Sequence, residues 1–231
     1  LFAFDLGEFG VQLFFMVSGF VIFLTLDKTV HAVDFIASRF SRLYPAYWVA
    51  ILVTFAAVSV FSLPGREVSM QAALVNLTML QQWLKVPSVD GVYWTLAVEL
   101  SFYLVMYVLF ITRNLERFNL IAMIWLSIIA LFQYLEALHA IQVPPILKQL
   151  LLLEYGNLFI AGTMFYKSLR KPRASAYLIL AATLLIEYQL HGNSVILITL
   201  YFGIFWAFVM GYLVKYAVKP LVFLGAISYS L

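Results

Sequence analysis

Apolar residues run along this chain in blocks of about a helix's length, separated by short polar stretches. A membrane-crossing helix needs about 20 mostly apolar residues. Seven blocks meet that pattern: Phe9–Leu26, Tyr44–Leu63, Trp94–Thr112, Phe118–Leu135, Gln149–Tyr166, Ala174–Gln189 and Ser194–Val214. An eighth starts at Pro220 and reaches Leu231 still apolar, which predicts that it continues. The longest connection, residues 64–93, has its own pattern. Met70, Ala73, Leu74, Leu77, Leu80 and Leu84 follow helical spacing, while Gln71, Thr78 and Gln82 fall on another face, as in a short amphipathic helix at an interface. The fold class expected is all-α, a polytopic transmembrane bundle forming one domain over residues 1–231.

Composition agrees with the pattern. Of 231 residues, 65% are hydrophobic and only 11% charged, with a mean hydropathy of +0.99. A soluble domain is about half apolar and about a quarter charged, so this chain cannot cover a water-facing surface. It has no cysteine, hence no disulfide framework and no Cys-based metal site, and no metal is expected. It opens at Leu1 without a basic and apolar leader, so the natural N-terminus is expected upstream.

The cations orient the spans. Lys28, Arg39, Arg42, Arg113, Arg117, Lys167, Arg170, Lys171, Arg173, Lys215 and Lys219 fall in alternate connections, and Arg66, Lys85 and Lys148 in the others. Cytoplasmic loops carry the excess of Lys and Arg. The rule places residues 1–8 outside and the Arg39/Arg42 segment in the cytoplasm, in a multi-pass cell-membrane protein, the bacterial inner membrane being expected. The pI near 9.0 is then the trace of the inner loops, with no nucleic-acid partner implied.

Against this background a few polar residues stand out. Glu99, in WTLAVELSFY, enters from the outer side at Trp94 and lies about 8 Å down at ~1.5 Å per residue. A carboxylate at depth costs roughly 2–3 kcal/mol, so it should face the bundle interior or a wet cavity; the alternatives are a functional acid and a packing hydrogen bond. Glu154, in LLLEYGN, has a similar expected depth, but a shifted helix boundary would leave it at the interface. Ser18-Gly19, in FFMVSGFVIF, allows either close helix packing or the approach of a substrate. Arg39 and Arg42, three apart in ASRFSRLYPAYW, share a face if the segment is helical. They are either a phosphate clamp or ordinary anchors beside a belt of Tyr44, Tyr47 and Trp48.

Three segments together resemble a known pattern. GVQLFFMVSGFVI (10–22), SRFSRLYPAYW (38–48) and DGVYWTLAVELSFYL (90–104) are similar, in order and spacing, to the signature segments of the membrane-bound acyltransferase 3 family, and LGAISYSL (224–231) resembles the start of its last one. The resemblance implies about ten helices and transfer of an acyl group, usually acetyl, from cytoplasmic acyl-CoA to a glycan or glycolipid. Arg39 and Arg42 match the arginine pair associated with acyl-CoA use. Trp94 and Glu99 match the Trp and Glu of a recurrent segment, with Ser18, Gly19 and Tyr229 as supporting residues. Gln12 stands where many members carry Asp. The family's histidine, taken as general base, lies on an earlier helix, and His31, His139 and His191 do not take its place. The chain is therefore expected to be a fragment, truncated at both ends and inactive alone.

The partners implied are acyl-CoA (acetyl-CoA as co-substrate, no bound cofactor), a glycan or glycolipid acceptor, and membrane lipids. Glu99 is expected to orient the histidine or to bind on the acceptor side. Three rivals remain on the residues alone. Against a transporter there is no inverted repeat or pair of broken helices. Against a seven-helix receptor, the last complete span has no lysine for retinal. A glycan-export subunit is the third.

Overall fold

The computed structural model describes residues 2–61, 68–191 and 195–212. The eighth span, Tyr229, Arg66, Lys215 and Lys219 lie outside them. Every regular element among the described residues is helical: α1 (Phe2–Leu26), α2 (Ala32–Phe61), α3 (Met70–Asn76), α4 (Trp94–Ile111), α5 (Phe118–Ala137), α6 (Pro145–Leu150), α7 (Gly156–Arg170), α8 (Ala174–His191) and α9 (Val195–Val209), with single 3-10 turns leading into α4 and α5. Three helical stretches are long and apolar enough to cross a membrane, Ala32–Phe61, Gly91–Ile111 and Leu115–Ala137; Gly10–Leu26, Ala174–Leu190 and Val195–Val209 are shorter apolar helices.

Two compact units emerge among the described residues, 2–32 with 101–212 and 33–100. In the larger unit, α1 and α7 have the most extensive interface, α8 packs on α7 and α5, and α9 joins α1, α7 and α8. Contacts fix the directions. Phe15 meets Tyr155 and Phe159, Phe20 meets Tyr166, and Asp27 meets Tyr166 and Arg170, so α1 and α7 run parallel. Asn119 at the start of α5 donates to Ser175 at the start of α8, 3.0 Å. One end of this unit therefore holds the starts of α5 and α8 and the finishes of α1 and α7.

Helix ends depart from expectation in a consistent way. Arg113, His139 and Leu152 have positive φ (57°, 55° and 52°) just past α4, α5 and α6. At each, the next N–H returns to a carbonyl five residues back, as in Asn114 N to Leu109 O and Leu153 N to Lys148 O. These are Schellman stops, usually a glycine's position. The stop at Leu152 is why the predicted Gln149–Tyr166 span is not one helix: the chain closes α6, turns through residues 151–155, and starts α7 at Gly156. The helix expected over 70–84 likewise ends at Asn76, followed by turns.

Candidate functional site

In the smaller unit, α2 runs 30 residues, about 45 Å at ~1.5 Å per residue. Arg39 and Arg42 lie inside this helix rather than before it, three residues apart and therefore neighbours on its surface. Arg39 is only 6% exposed; its guanidinium donates to Ser38 Oγ at 3.1 Å and sits 5.9 Å from the Phe35 ring centre. Arg42 is half-buried. One turn on, Pro45 cannot donate to the carbonyl of Ser41.

The aromatic residues expected as an interfacial belt also carry hydrogen bonds. Tyr44 donates to Thr78 O (3.0 Å), Tyr47 to Asn76 O (2.8 Å) and Trp48 to Leu77 O (3.0 Å). The segment after α3, placed by charge counting on the opposite side of the membrane from these residues, folds back along the middle of α2. Asn76, fully buried, holds it there. Its amide donates to Ala72 O (2.7 Å) and Pro87 O (2.9 Å), and its carbonyl accepts from Val89 N (3.1 Å). Tyr47, Ile51, Ala73, Met79, Val89 and Tyr93 close a core around it, with Tyr47 and Tyr93 edge to face at 5.1 Å. Leu96 and Leu100, from the first turns of α4, pack on that core.

Asp90 caps the 3-10 turn that launches α4, accepting from Val92 N at 3.3 Å. Trp94 is then the first residue of α4 and half-buried, while Glu99, one and a half turns later, is 1% exposed. The carboxyl that the sequence placed at depth is enclosed by protein.

The larger unit receives the other expected residues. Ser18 is 2% exposed. Beside it Gly19 lies against α7, where a Cβ would fall inside contact distance of the Phe159 carbonyl; Gly162 lies against α1, where a Cβ would strike the Met16 carbonyl. Thr163 Oγ1 adds a bond to Gly19 O at 3.2 Å. The Ser-Gly pair is thus a place of backbone contact, and the occupant is α7. Glu154 is not at depth: it lies in the turn before α7, its side chain 54% exposed, 3.8 Å from Lys148, which also pairs with Glu136 at 3.0 Å. His31 and His139 are exposed.

Sequence reasoning missed two fully buried polar residues, Asn157 and Glu187, which hydrogen-bond to each other and join α7 to α8. The signal was available, since Glu187 is an acid inside the apolar run ATLLIEYQL. Among the described residues no group of three His, Cys, Asp or Glu side chains could hold a metal.

Comparison with known proteins gives these positions a context. Residues 1–231 match the family model described as an acyltransferase domain, acyltransferase 3. The exopolysaccharide production protein ExoZ of Rhizobium meliloti (strain 1021) is 33% identical over 119 residues, 48% of this chain and 37% of that protein. The acyltransferase MdmB of Streptomyces mycarofaciens is 32% identical over 108 residues, 43% of this chain and 27% of that protein. The matched stretches thus span little more than a third of one relative and about a quarter of the other. No solved structure matches. With the family model matched from the first residue to the last, this chain, helical throughout its described regular elements, belongs to the acyltransferase 3 family.

Proposed function

We propose that the protein of which this chain is part transfers an acyl group, acetyl in the simplest case, from cytoplasmic acyl-CoA to a hydroxyl of a surface or lipid-linked glycan. The chain crosses the membrane several times, and the end of α2 bearing Arg39 and Arg42 faces the cytoplasm. The observation that carries this reading is the family match over residues 1–231, with the two arginines one turn apart on a single helix as its local support.

Each residue has a role in that chemistry. The CoA moiety carries several phosphate charges, and guanidinium forks bind phosphate oxygens in pairs; Arg39 and Arg42 hold the donor. The acceptor oxygen attacks the thioester carbonyl, a C–O bond forms, the C–S bond breaks, and the hydroxyl proton ends on the CoA thiol. A positioned base assists by about 10²–10⁴-fold. Glu99, enclosed in α4, orients that base or receives the acceptor hydroxyl.

The test uses the full-length protein in membranes, with labelled acyl-CoA and label in the surface glycan as readout. Arg42→Ala is expected to raise the KM for acyl-CoA at least 10-fold, and Glu99→Gln to lower kcat at least 10-fold. Wild-type rates in both variants overturn the site, and no acyl-CoA-dependent labelling by the wild type overturns the function.

A further inference from the structure

The larger unit contains a layer of three amide side chains and one carboxyl that the roles above leave unused. Gln12 on α1, Gln133 on α5, Asn157 on α7 and Glu187 on α8 all lie about 20 Å, at ~1.5 Å per residue, from the end of the unit where α5 and α8 start. The directions derived above put them at one level. The Asn157–Glu187 hydrogen bond ties α7 to α8 there, and Tyr201 of α9 lies beside the same carboxyl. Gln12 is 5% exposed and Asn157 fully buried.

This layer has hydrogen-bonding capacity that the protein does not use. Gln12 Oε1, Asn157 Oδ1 and both Oε1 and Nε2 of Gln133 are buried and have no partner among the described residues; neither has Gln149 Nε2 on α6. A buried polar group left unmet costs about 1–3 kcal/mol, and native proteins leave few. One orphan is an irregularity. Orphans on three helices at one level, with a fourth amide beyond them, point to a ligand that completes them.

The chemistry of the orphans selects the ligand. They are neutral and include both donors and acceptors. An acyl chain has no use for them. A phosphate calls for cations, and the nearby Lys148 is already paired with Glu136 and Glu154. A sugar hydroxyl both donates and accepts, as a side-chain amide does. The layer also lies about one turn from the ends of α5 and α8 and at the first turn of α7, on the side away from the cytoplasm in the proposed orientation. We propose that Gln12, Gln133 and Asn157 form the binding site for the hydroxyl groups of the acceptor glycan. The inference rests on the acyl-transfer reading and specifies its acceptor side.

The test is binding, measured apart from turnover. The full-length protein in nanodiscs is titrated with oligosaccharides released from the host's own surface polysaccharide and stripped of ester groups by mild base. Gln133→Met, at a half-buried position, and Gln12→Met conserve side-chain length and remove the amide; Ser127→Ala, on the exposed side of α5, is the control. Both amide variants are expected to weaken oligosaccharide binding at least 10-fold, with acyl-CoA binding and the control within 2-fold of wild type. Oligosaccharide binding that is unchanged in both folded variants, or absent in the wild type, overturns the inference. Acyl-CoA binding and acyl transfer, assayed on the same preparation, report the proposed function separately, so either can fail while the other stands.

Discussion

Gly19 of α1 and Gly162 of α7 each lie against the other helix's backbone, so that the missing side chains are what bring the two helices together. Small residues at such crossings allow close approach in apolar surroundings. Gly19→Leu would drive a side chain into the Phe159 main chain, which has no rotamer to yield, and an overpacked core costs about 1–3 kcal/mol or more. The expected result is a lower thermal midpoint or loss of folded protein in detergent. Gly10→Ala, with open space around its Cβ position, should leave the midpoint unchanged or raise it.

Asn76 carries a second prediction. Its side chain makes three hydrogen bonds with no exposure, and its own carbonyl is the acceptor for Tyr47. Asn76→Ala should cost about 3 kcal/mol, since main-chain groups of Ala72, Pro87 and Val89 lose partners in a buried place. Tyr47→Phe, which removes one bond, should cost about 1 kcal/mol. Limited proteolysis between residues 77 and 93 should detect the order Asn76→Ala, then Tyr47→Phe, then wild type.

These two cases divide what the residues alone revealed from what they did not. Six of the apolar blocks each overlap one long helix, α1, α2, α4, α5, α8 and α9, because the length of an apolar run is a local property, while the seventh straddles the break before α7. Glu99 was expected to be enclosed, and it is. The folding back of the segment after α3 onto Tyr44, Tyr47 and Trp48 was not legible, since it depends on hydrogen bonds to main-chain carbonyls far along the chain, which no periodicity records. The break before α7 was hidden because its stop residue, Leu152, adopts positive φ while keeping its side chain 1% exposed; a glycine there would have announced it. Glu187 was passed over because it stands near the end of the predicted block Ala174–Gln189, where a polar residue reads as a boundary, and Asn157 because an uncharged amide in the middle of the block Gln149–Tyr166 does not interrupt its apolar character.

A third prediction concerns pH. Asp27 lies in the turn after α1, and its carboxyl is held below the usual aspartate range chiefly by the hydroxyl of Tyr166, which donates at 2.7 Å, and then by Arg170 at 3.1 Å, with burial opposing. A depressed pKa means that the unfolded state takes up the proton first, so the stabilisation is present above the unfolded value, near 3.8, and lost as pH falls through the folded value. Asp27→Asn should be less stable than wild type above pH of about 5, and the gap should close as pH drops below about 4. Thermal midpoints of both proteins across that range check it, and Tyr166→Phe should narrow the gap at the higher pH.

The fourth prediction is a stabilisation. Lys85 has φ 57° with its N–H bonded to Gln82 O and that of Val86 to Gln81 O, the geometry of a glycine stop. A residue with a Cβ costs about 1–2 kcal/mol in that conformation, and the Lys85 side chain is exposed. Lys85→Gly should raise the thermal midpoint. Leu152→Gly, at the same backbone geometry but with a buried side chain, should lower it, because lost burial outweighs relieved strain.

The contact of main chain with main chain between α1 and α7 has a mechanical consequence. Neither helix can slide along the other without a glycine leaving its notch and a carbonyl meeting a side chain, so the pair behaves as one stiff strut. Any bending within the larger unit is therefore left to the helices packed around that strut, α5, α8 and α9.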